Sequence, residues 1–287
     1  MDPDTHADPL LAAIAARSRS ALATGALQPL PTTTTELTAD GLDFVIRVLG
    51  PQARPHRAFQ PTPPGFNPFL PHDPELLVTD LSPTHLGLLN KFPVVDLHLL
   101  MVTRAFAPQE GLLTPADLHA MSRCLSAFEG LAFYNAGQAA GASQRHRHLQ
   151  YVPLTPAAGG RGAPLEPVLT VALQDDAVVQ SHRLPFAHAL VRLGAIDTAA
   201  LEVAQHRLTT ALAMPPTTPH NLLATRRWML LVPRRQEKWE GFGVNAMGFA
   251  GALLVRDADA LARLRRDGPL AVLRGVGLPR QPLLPDR

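Results

Sequence analysis

Cysteine is almost absent from this 287-residue sequence, which has Cys124 alone. A single thiol cannot form an internal disulfide or build a cysteine-based zinc site, so disulfide scaffolds and zinc fingers are excluded. No apolar run approaches the roughly 18 residues of a membrane-spanning helix, and the acidic start at Asp2 and Asp4 is unlike the basic start of a signal peptide. We therefore expect a soluble, cytoplasmic protein without a membrane partner.

Charge is also scarce, at 17% of residues, with a net charge of +2 and only two lysines, Lys91 and Lys238. A balance this close to neutral, without a clustered basic face, argues against a nucleic-acid partner. Hydrophobic residues make up 46% of the chain. That share is enough for a large buried core and excludes intrinsic disorder for most of the chain.

Helical and strand patterns are interspersed along the chain. Capping residues and apolar spacing predict helices at 9–24, 115–129, 198–214 and 257–266. Apolar or alternating runs predict strands at 44–49, 76–78, 97–103, 131–134, 145–152, 168–173, 187–193, 221–224, 228–232 and 246–255. We expect a proline-rich irregular run at 51–74 and a linker or crossover at 155–167, which separates a region 1–158 from a region 159–287. The patterns predict an α+β fold with a mainly antiparallel sheet flanked by helices.

The most informative segment is 141–150, GASQRHRHLQ. Side chains alternate along a strand, so His146, His148 and Gln150 share one face. A neutral imidazole is a competent nucleophile toward phosphorus when a hydrogen bond holds one ring nitrogen and the other presents its lone pair. The small residues of 135–143 allow backbone N–H groups to approach a phosphate, although this is not a Walker loop, since it lacks the Gly-Lys-Ser/Thr ending.

Two other interpretations of the histidine pair stay open at this point. A His-x-His strand also holds zinc when a third ligand, such as His98 or His119, comes from elsewhere. The pair could also be surface histidines, in a chain with 12 of them. Neither interpretation explains why a loop of small residues precedes the pair.

The segment 135–150 resembles the signature of the histidine-triad superfamily in its transferase form, His-x-His-x-Gln, and specifically that of ATP adenylyltransferases, also called diadenosine tetraphosphate phosphorylases. The segments 88–95, 221–234 and 245–254 are also similar to that family, so the resemblance extends over most of 44–255. It implies a histidine-triad-like fold that the C-terminal half elaborates, with that half completing the substrate site.

The resemblance also implies a two-step nucleotidyl transfer in the cytoplasm. His148 would attack the α-phosphorus of a dinucleoside polyphosphate, release ATP and retain AMP, and inorganic phosphate would then release ADP. His146 and Gln150 complete the catalytic set. Gln150 stands where superfamily hydrolases have a third histidine, and an amide cannot donate a proton to a leaving group as an imidazolium can, which favours transfer over hydrolysis.

Substrate binding is implied for residues in both regions, with small nucleotides and inorganic phosphate as partners. These residues are Arg54, Asn90, Lys91, Asn135, Gly141, Ala142, Ser143, Gln144, Thr225 and Arg226. Arg54 lies near the place where the family usually has a lysine, and arginine can grip phosphate with two donors. Mg²⁺ is expected to arrive with the polyphosphate, without a dedicated protein metal site and without an organic cofactor.

Three alternative functions remain. The first two are a hexose-1-phosphate nucleotidylyltransferase, against which the Asn90, Lys91, Phe92 segment argues, and a nucleotide-sugar phosphorylase. The third is a nucleotide-binding protein without turnover, which the intact His148 and Gln150 disfavour. The sequence leaves open the base, the phosphate-chain length, the direction of the reaction and the oligomeric state.

Overall fold

The computed structural model describes residues 8–50, 65–154, 163–173 and 176–285. Its helices there are α1 (Pro9–Thr24), α2 (Pro115–Ala127), α3 (Glu166–Ala172), α4 (Thr198–Ala211), α5 (Ala246–Phe249), α6 (Ala258–Asp267) and α7 (Pro269–Val276). Its strands are β1 (Thr32–Ala39), β2 (Leu42–Leu49), β3 (Leu77–Asp80), β4 (His85–Leu89), β5 (Leu99–Thr103), β6 (Gly130–Ala136), β7 (His148–Pro153), β8 (Ala189–Arg192), β9 (His220–Ala224), β10 (Trp228–Pro233), β11 (Lys238–Trp239), β12 (Phe242–Gly243) and β13 (Ala252–Val255). In these ranges, no helix combines the length and the apolar character needed to cross a membrane.

An eight-stranded sheet in the order β3-β4-β5-β7-β6-β9-β10-β8 forms the centre of the protein. All of its strand pairings are antiparallel, which confirms the α+β class and the antiparallel sheet. β6 and β7 come from the region 1–158, and β9 and β10 come from the region 159–287. The two regions predicted from the sequence therefore contribute strands to one sheet, and the boundary between them stays a prediction.

The two faces of the central sheet belong to different hydrophobic cores. Leu149 and Tyr151 of β7 pack into the core beneath α1, α2 and α4. Phe133 and Leu223 point to the opposite face, where the core includes α5 and β13. His148 and Gln150 alternate with Leu149 and Tyr151, so they lie on this second face, as period two predicts.

Local sequence signals account for several of the helices. The Asp8 side chain accepts a hydrogen bond from the Leu10 N–H at the start of α1, and Gly25 ends that helix at φ +76°. Thr114 and Asp117 form a capping box at the start of α2. Both helices are confirmed where the sequence predicts them.

The strand predicted at 168–173 is wrong, because this segment is the helix α3. Leu165, Leu169 and Leu173 are spaced four residues apart and are all buried, whereas Val171 is 75% exposed. That spacing is the period of a helix packing one face, and it prevails over the β propensity of the valines. Residues 155–162 of the expected linker lie outside the described residues, as do residues 51–64 of the proline-rich run, including Arg54.

The strand predicted at 246–255 is half wrong, because α5 occupies its first part and only β13 is extended. The Asn245 side chain caps α5 by accepting a hydrogen bond from the Met247 N–H. The prediction also missed β1, which pairs with β2 around Asp40 and Gly41, both at positive φ. An Asp-Gly pair is a strong hairpin signal, so this strand was predictable.

Candidate active site

His148 has one engaged and one free ring nitrogen. Its Nδ1 donates a hydrogen bond to the backbone oxygen of His146 at 2.9 Å. Its Nε2 has no hydrogen-bond partner among the described residues. Burial lowers the pKa of His148 to about 4, and the neighbouring His146 acts in the same direction. The imidazole is therefore neutral at physiological pH, with its lone pair on Nε2.

The ring of His146 has no free nitrogen. The Asn67 side-chain amide donates to Nδ1 at 2.9 Å, and Nε2 donates to the Thr103 backbone oxygen at 2.8 Å. Phe69 lies beside both catalytic-motif histidines, with ring centroids 5.5 Å from each. The backbone oxygen of His146 thus accepts the hydrogen bond from His148, and the hydrogen bonds of the His146 ring hold that backbone in place.

Gln150 is oriented by a hydrogen-bonded chain of side chains. His98 Nε2 donates to Gln150 Oε1 at 2.9 Å, and Asn90 Nδ2 donates to His98 Nδ1 at 3.2 Å. Because His98 occupies the amide oxygen, the Gln150 Nε2 donor is left without a partner among the described residues. Burial lowers the pKa of His98 to about 4, so this chain is uncharged. Sequence reasoning considered His98 only as an alternative zinc ligand, and the described residues contain no group of three metal-ligating side chains.

The loop of small residues turns tightly between β6 and β7, with a short 3-10 turn at Gln138–Ala140. Gly141 has φ +88°, and a Cβ there would lie 2.5 Å from the Val244 oxygen, so only glycine fits. The N–H groups of Gly141 and Ala142 bond to oxygens inside the turn. The backbone N–H groups of Ser143 and Gln144 have no partner in the described chain. These two donors are available to an anion.

A buried polar network supports that loop from below. Asn135 Oδ1 accepts from the Asn221 side chain and from the Ala246 N–H, each at 2.8 Å. Arg234 donates to Asn221 Oδ1 at 2.6 Å and to the Ala140 oxygen at 3.2 Å. Burial lowers the pKa of Arg234 to about 10, which leaves it cationic at neutral pH. Asn135 therefore ties the loop to the C-terminal half through contacts that the sequence did not reveal.

Lys91 forms an ion pair with Asp73. Its Nζ lies 3.4 Å from Asp73 Oδ2, and both side chains are about one-third exposed. Asp73 belongs to the same chain segment, 65–73, that brings Asn67 and Phe69 to the histidines. Lys91 is thus held beside this segment.

Thr225 and Arg226 lie at the far end of β9 from the loop. Asn221 pairs with Asn135 beside the loop, whereas Thr225 follows four residues later, roughly 13 Å along the strand. Thr225 is buried, and Arg226 donates to the Leu125 oxygen at 2.6 Å. The structure does not bring these two residues together with His148.

A cleft of about 790 Å³ opens next to the loop at Gly141. Its lining includes Asn245, three cationic residues and two acidic ones, which are Lys238, Arg256, Arg263, Glu237 and Asp257. The sequence assigns no role to Arg256 or Arg263. Arg256 follows β13 and Arg263 lies on α6, and no pattern in these segments indicates that the cleft brings them near the glycine loop. Lys238 pairs with Glu237 at 3.4 Å, and the two arginines add positive charge that suits a polyphosphate.

Comparisons with known proteins agree with this geometry. The family model of the Ap4A phosphorylase N-terminal domain matches residues 2–171, and that of the ATP adenylyltransferase C-terminal domain matches residues 182–279. Diadenosine 5′,5‴-P1,P4-tetraphosphate phosphorylase 2 of Saccharomyces cerevisiae is 32% identical over 234 residues, which span 70% of this chain and 72% of that protein. Protein APA1 of the same yeast is 28% identical over 202 residues, 62% of this chain and 63% of that protein.

Solved structures give the same result. The crystal structure of yeast Ap4A phosphorylase Apa2 matches with a TM-score of 0.81 and 25% identity, over 96% of this chain and 99% of that chain. The structure of Apa2 in complex with Ap4A matches over the same shares, with a TM-score of 0.82 and 25% identity. The two family models together cover both halves of the chain, and the protein belongs to the Ap4A phosphorylase family of nucleotidyltransferases.

Proposed function

We propose that this protein phosphorolyses diadenosine tetraphosphate (Ap4A) to ATP and ADP through an AMP intermediate on His148. The observation that carries the proposal is the state of the His148 ring. It is neutral, its Nδ1 donates to the His146 oxygen, and its Nε2 has no partner among the residues that the structure describes. Relatives in the same family are named for this reaction.

In the first step, the Nε2 lone pair of His148 attacks the α-phosphorus, and the bond from that phosphorus to the bridging oxygen breaks. ATP leaves, and AMP stays on the ring. The ring becomes positively charged, and its Nδ1–H then makes a charge-assisted hydrogen bond to the His146 oxygen. That contact becomes stronger as the charge develops, so it stabilises the transition state more than the ground state.

In the second step, an oxygen of inorganic phosphate attacks the same phosphorus and the P–N bond breaks. ADP leaves, and His148 returns to its neutral form. Gln150 Nε2 donates to a phosphoryl oxygen in both steps. Because an amide is neither a general acid nor a general base near neutral pH, Gln150 does not activate water, which supports transfer to phosphate over hydrolysis.

The phosphate chain is held by backbone donors and by cations. The free N–H groups of Ser143 and Gln144 bind a phosphoryl group, as backbone nests do. Lys91 and the cationic side chains of the cleft neutralise the remaining phosphates. Asn90 and Asn135 act by orienting His98 and the loop.

Mg²⁺ enters this scheme as part of the substrate. Polyphosphates bind Mg²⁺ through their own oxygens, and the ion usually needs only one or two protein carboxylates in addition. We expect EDTA to abolish turnover and excess Mg²⁺ to restore it. Turnover that persists in EDTA would contradict this part of the proposal.

The test is to incubate the protein with Ap4A and Mg²⁺, with and without phosphate, and to resolve the nucleotides. Equal amounts of ATP and ADP that appear only with phosphate, and not with His148→Ala, support the proposal. Mass spectrometry of the enzyme without phosphate should find AMP on the peptide that contains His148. ATP and AMP formed without phosphate would identify a hydrolase, and the absence of turnover would contradict the proposal.

A further inference from the structure

Strands β6 and β7 separate next to His148, the proposed nucleophile. β6 and β7 pair as far as Phe133 and Gln150 and no further. Beyond that point β6 continues beside β9 to Ala136, and β7 continues beside β5 to His148. The backbone N–H and oxygen of His148 therefore face a gap where a strand partner would normally be.

The side chain of Gln109 fills this gap. Its Oε1 accepts from the His148 N–H at 2.7 Å, and its Nε2 donates to the His148 oxygen at 2.9 Å. The same Nε2 donates to the Asn135 oxygen at 3.1 Å on the other strand. A primary amide offers one acceptor and two donors, so Gln109 substitutes for one residue of a strand.

The backbone of Gln109 forms hydrogen bonds with residues at the two ends of the glycine loop. Its N–H donates to the Arg145 oxygen at 3.0 Å, and its oxygen accepts from the Gly137 N–H at 2.6 Å. Gly137 begins the glycine loop and Arg145 follows it. One residue thus contacts the nucleophile and both ends of the loop that would bind the substrate phosphate.

Arg147, between the two histidines of the motif, holds the segment that carries Gln109. Its guanidinium donates to the oxygens of Pro108 and Glu110, the neighbours of Gln109, and forms an ion pair with the buried Asp117 at 2.8 Å. Gln109 itself is 3% exposed. The position of Gln109 is therefore fixed by its own backbone hydrogen bonds and by those of its two neighbours.

We propose that Gln109 is a positioning residue, whose side-chain amide sets the distance and angle between the His148 nucleophile and the phosphate-binding loop. This inference rests on the proposed function. A displacement of about 1 Å in a reacting group can slow a reaction by about 100-fold. Loss of Gln109 should therefore lower kcat, whereas substrate binding, which depends on the loop and the cleft, should change much less.

The chain contains a matched control for this experiment. Gln205 is also buried, and its amide makes the same two-way contact with a backbone, at 3.1 and 3.0 Å to the N–H and oxygen of Leu113. It lies on α4, on the other face of the sheet from His148. Gln109→Met and Gln205→Met make the same change in volume. The first removes three side-chain hydrogen bonds and the second removes two.

We expect both variants to unfold at a lower temperature than the wild-type protein. Gln109→Met alone should lose about 100-fold or more in kcat, with a change in KM of less than about 5-fold. Equal losses of kcat in the two variants, or a change in KM alone, would overturn the proposal.

Gln109→Glu provides a second test in case Gln109→Met does not fold. A protonated carboxyl has one donor and one acceptor, whereas a carboxylate has no donor. The activity of Gln109→Glu should therefore be low at pH 8 and should recover as the pH falls toward 6.5, a range in which His148 stays neutral and the buried histidines still contribute their stability. Full activity at pH 8, or no recovery, would contradict the proposal.

A measurement without substrate separates this inference from the proposed function. The imidazole nitrogen shifts of His148, read by NMR, should agree between the wild-type protein and Gln205→Met and should differ in Gln109→Met, because the His148 backbone that carries the ring loses its hydrogen-bond partner. If the wild-type protein fails to convert Ap4A, the proposed function is wrong, and these shifts still decide whether Gln109 orients His148. Identical shifts in all three proteins would overturn the Gln109 proposal.

Discussion

His148 points its Nδ1 atom at the backbone oxygen of His146, two residues earlier, at 2.9 Å. Two other buried histidines make the same local contact: His188 with Phe186 and His220 with Thr218, each at 2.8 Å. The Nε2 of His188 accepts a hydrogen bond from the Ser181 N–H, and the Nε2 of His220 is enclosed and has no partner in the described part of the chain. The local contact sets the tautomer in all three, and the surroundings of Nε2 decide which ring can act on a substrate.

The two histidines of the motif should respond differently to substitution. His148→Ala removes the nucleophile and should lower kcat by roughly 10⁴-fold or more. His146→Ala leaves the backbone oxygen in place and removes only the side-chain anchors, so a loss of about 10 to 100-fold is expected. Steady-state kinetics with Ap4A and phosphate measure both. Equal losses would show that the His146 ring takes part in the chemistry.

Acid should unfold the protein at mildly low pH. Burial lowers the pKa of four histidines, His98, His148, His188 and His220, to about 4. In the unfolded chain they titrate near 6.5, so the stability they contribute is complete above pH 6.5 and is lost as the pH falls toward 4. At pH 5 the loss is about 2 kcal/mol for each, compared with a total stability of about 5–15 kcal/mol. Circular dichroism should place the transition between pH 6 and 4.

His188→Gln provides the control for this pH dependence. Glutamine can replace both contacts of the His188 ring, with Ser181 and Phe186, but does not titrate. The acid transition should therefore move to lower pH in this variant. A transition at the wild-type pH would mean that His188 is not protonated on unfolding.

The ion pair with Asp73 should weaken the binding of the substrate phosphates by Lys91. Asp73→Asn removes the charge that pairs with Lys91 and keeps the oxygen that caps the turn at Pro74–Leu76. A partly exposed pair is worth about 0.2–1 kcal/mol, so KM for Ap4A should fall by up to about 5-fold. Asp80→Asn, which breaks the exposed pair with Arg104, should leave KM unchanged. An equal change in both variants would indicate a general effect of net charge.

Arg226 should matter for folding and not for substrate binding. Its guanidinium donates to the oxygens of Leu125 and Ser126 near the end of α2. Arg226→Ala should therefore lower stability by about 1 kcal/mol and leave KM for Ap4A within about 2-fold of the wild-type value. A large rise in KM would restore the substrate contact that the family resemblance implies.

Helix starts and strand faces were predictable where residues close together in the sequence determine them. The caps at Asp8 and Thr114 and the alternation of His148 and Gln150 along β7 needed no knowledge of the fold. The prediction failed at α3. The spacing of Leu165, Leu169 and Leu173 favours a helix only because all three pack into one core, and the sequence alone does not show that core. Long-range packing overrides β propensity there.

Strand periodicity alone places His148 and Gln150, the proposed nucleophile and its partner amide, on one face of the sheet. The contacts that hold these side chains come from distant parts of the chain. Gln150 is oriented by His98, His148 by Gln109, and the loop by Arg234, over separations in the chain of 52, 39 and 94 residues. Such contacts depend on which strands are neighbours, and that order is set by the packing of the whole sheet, which no local pattern encodes.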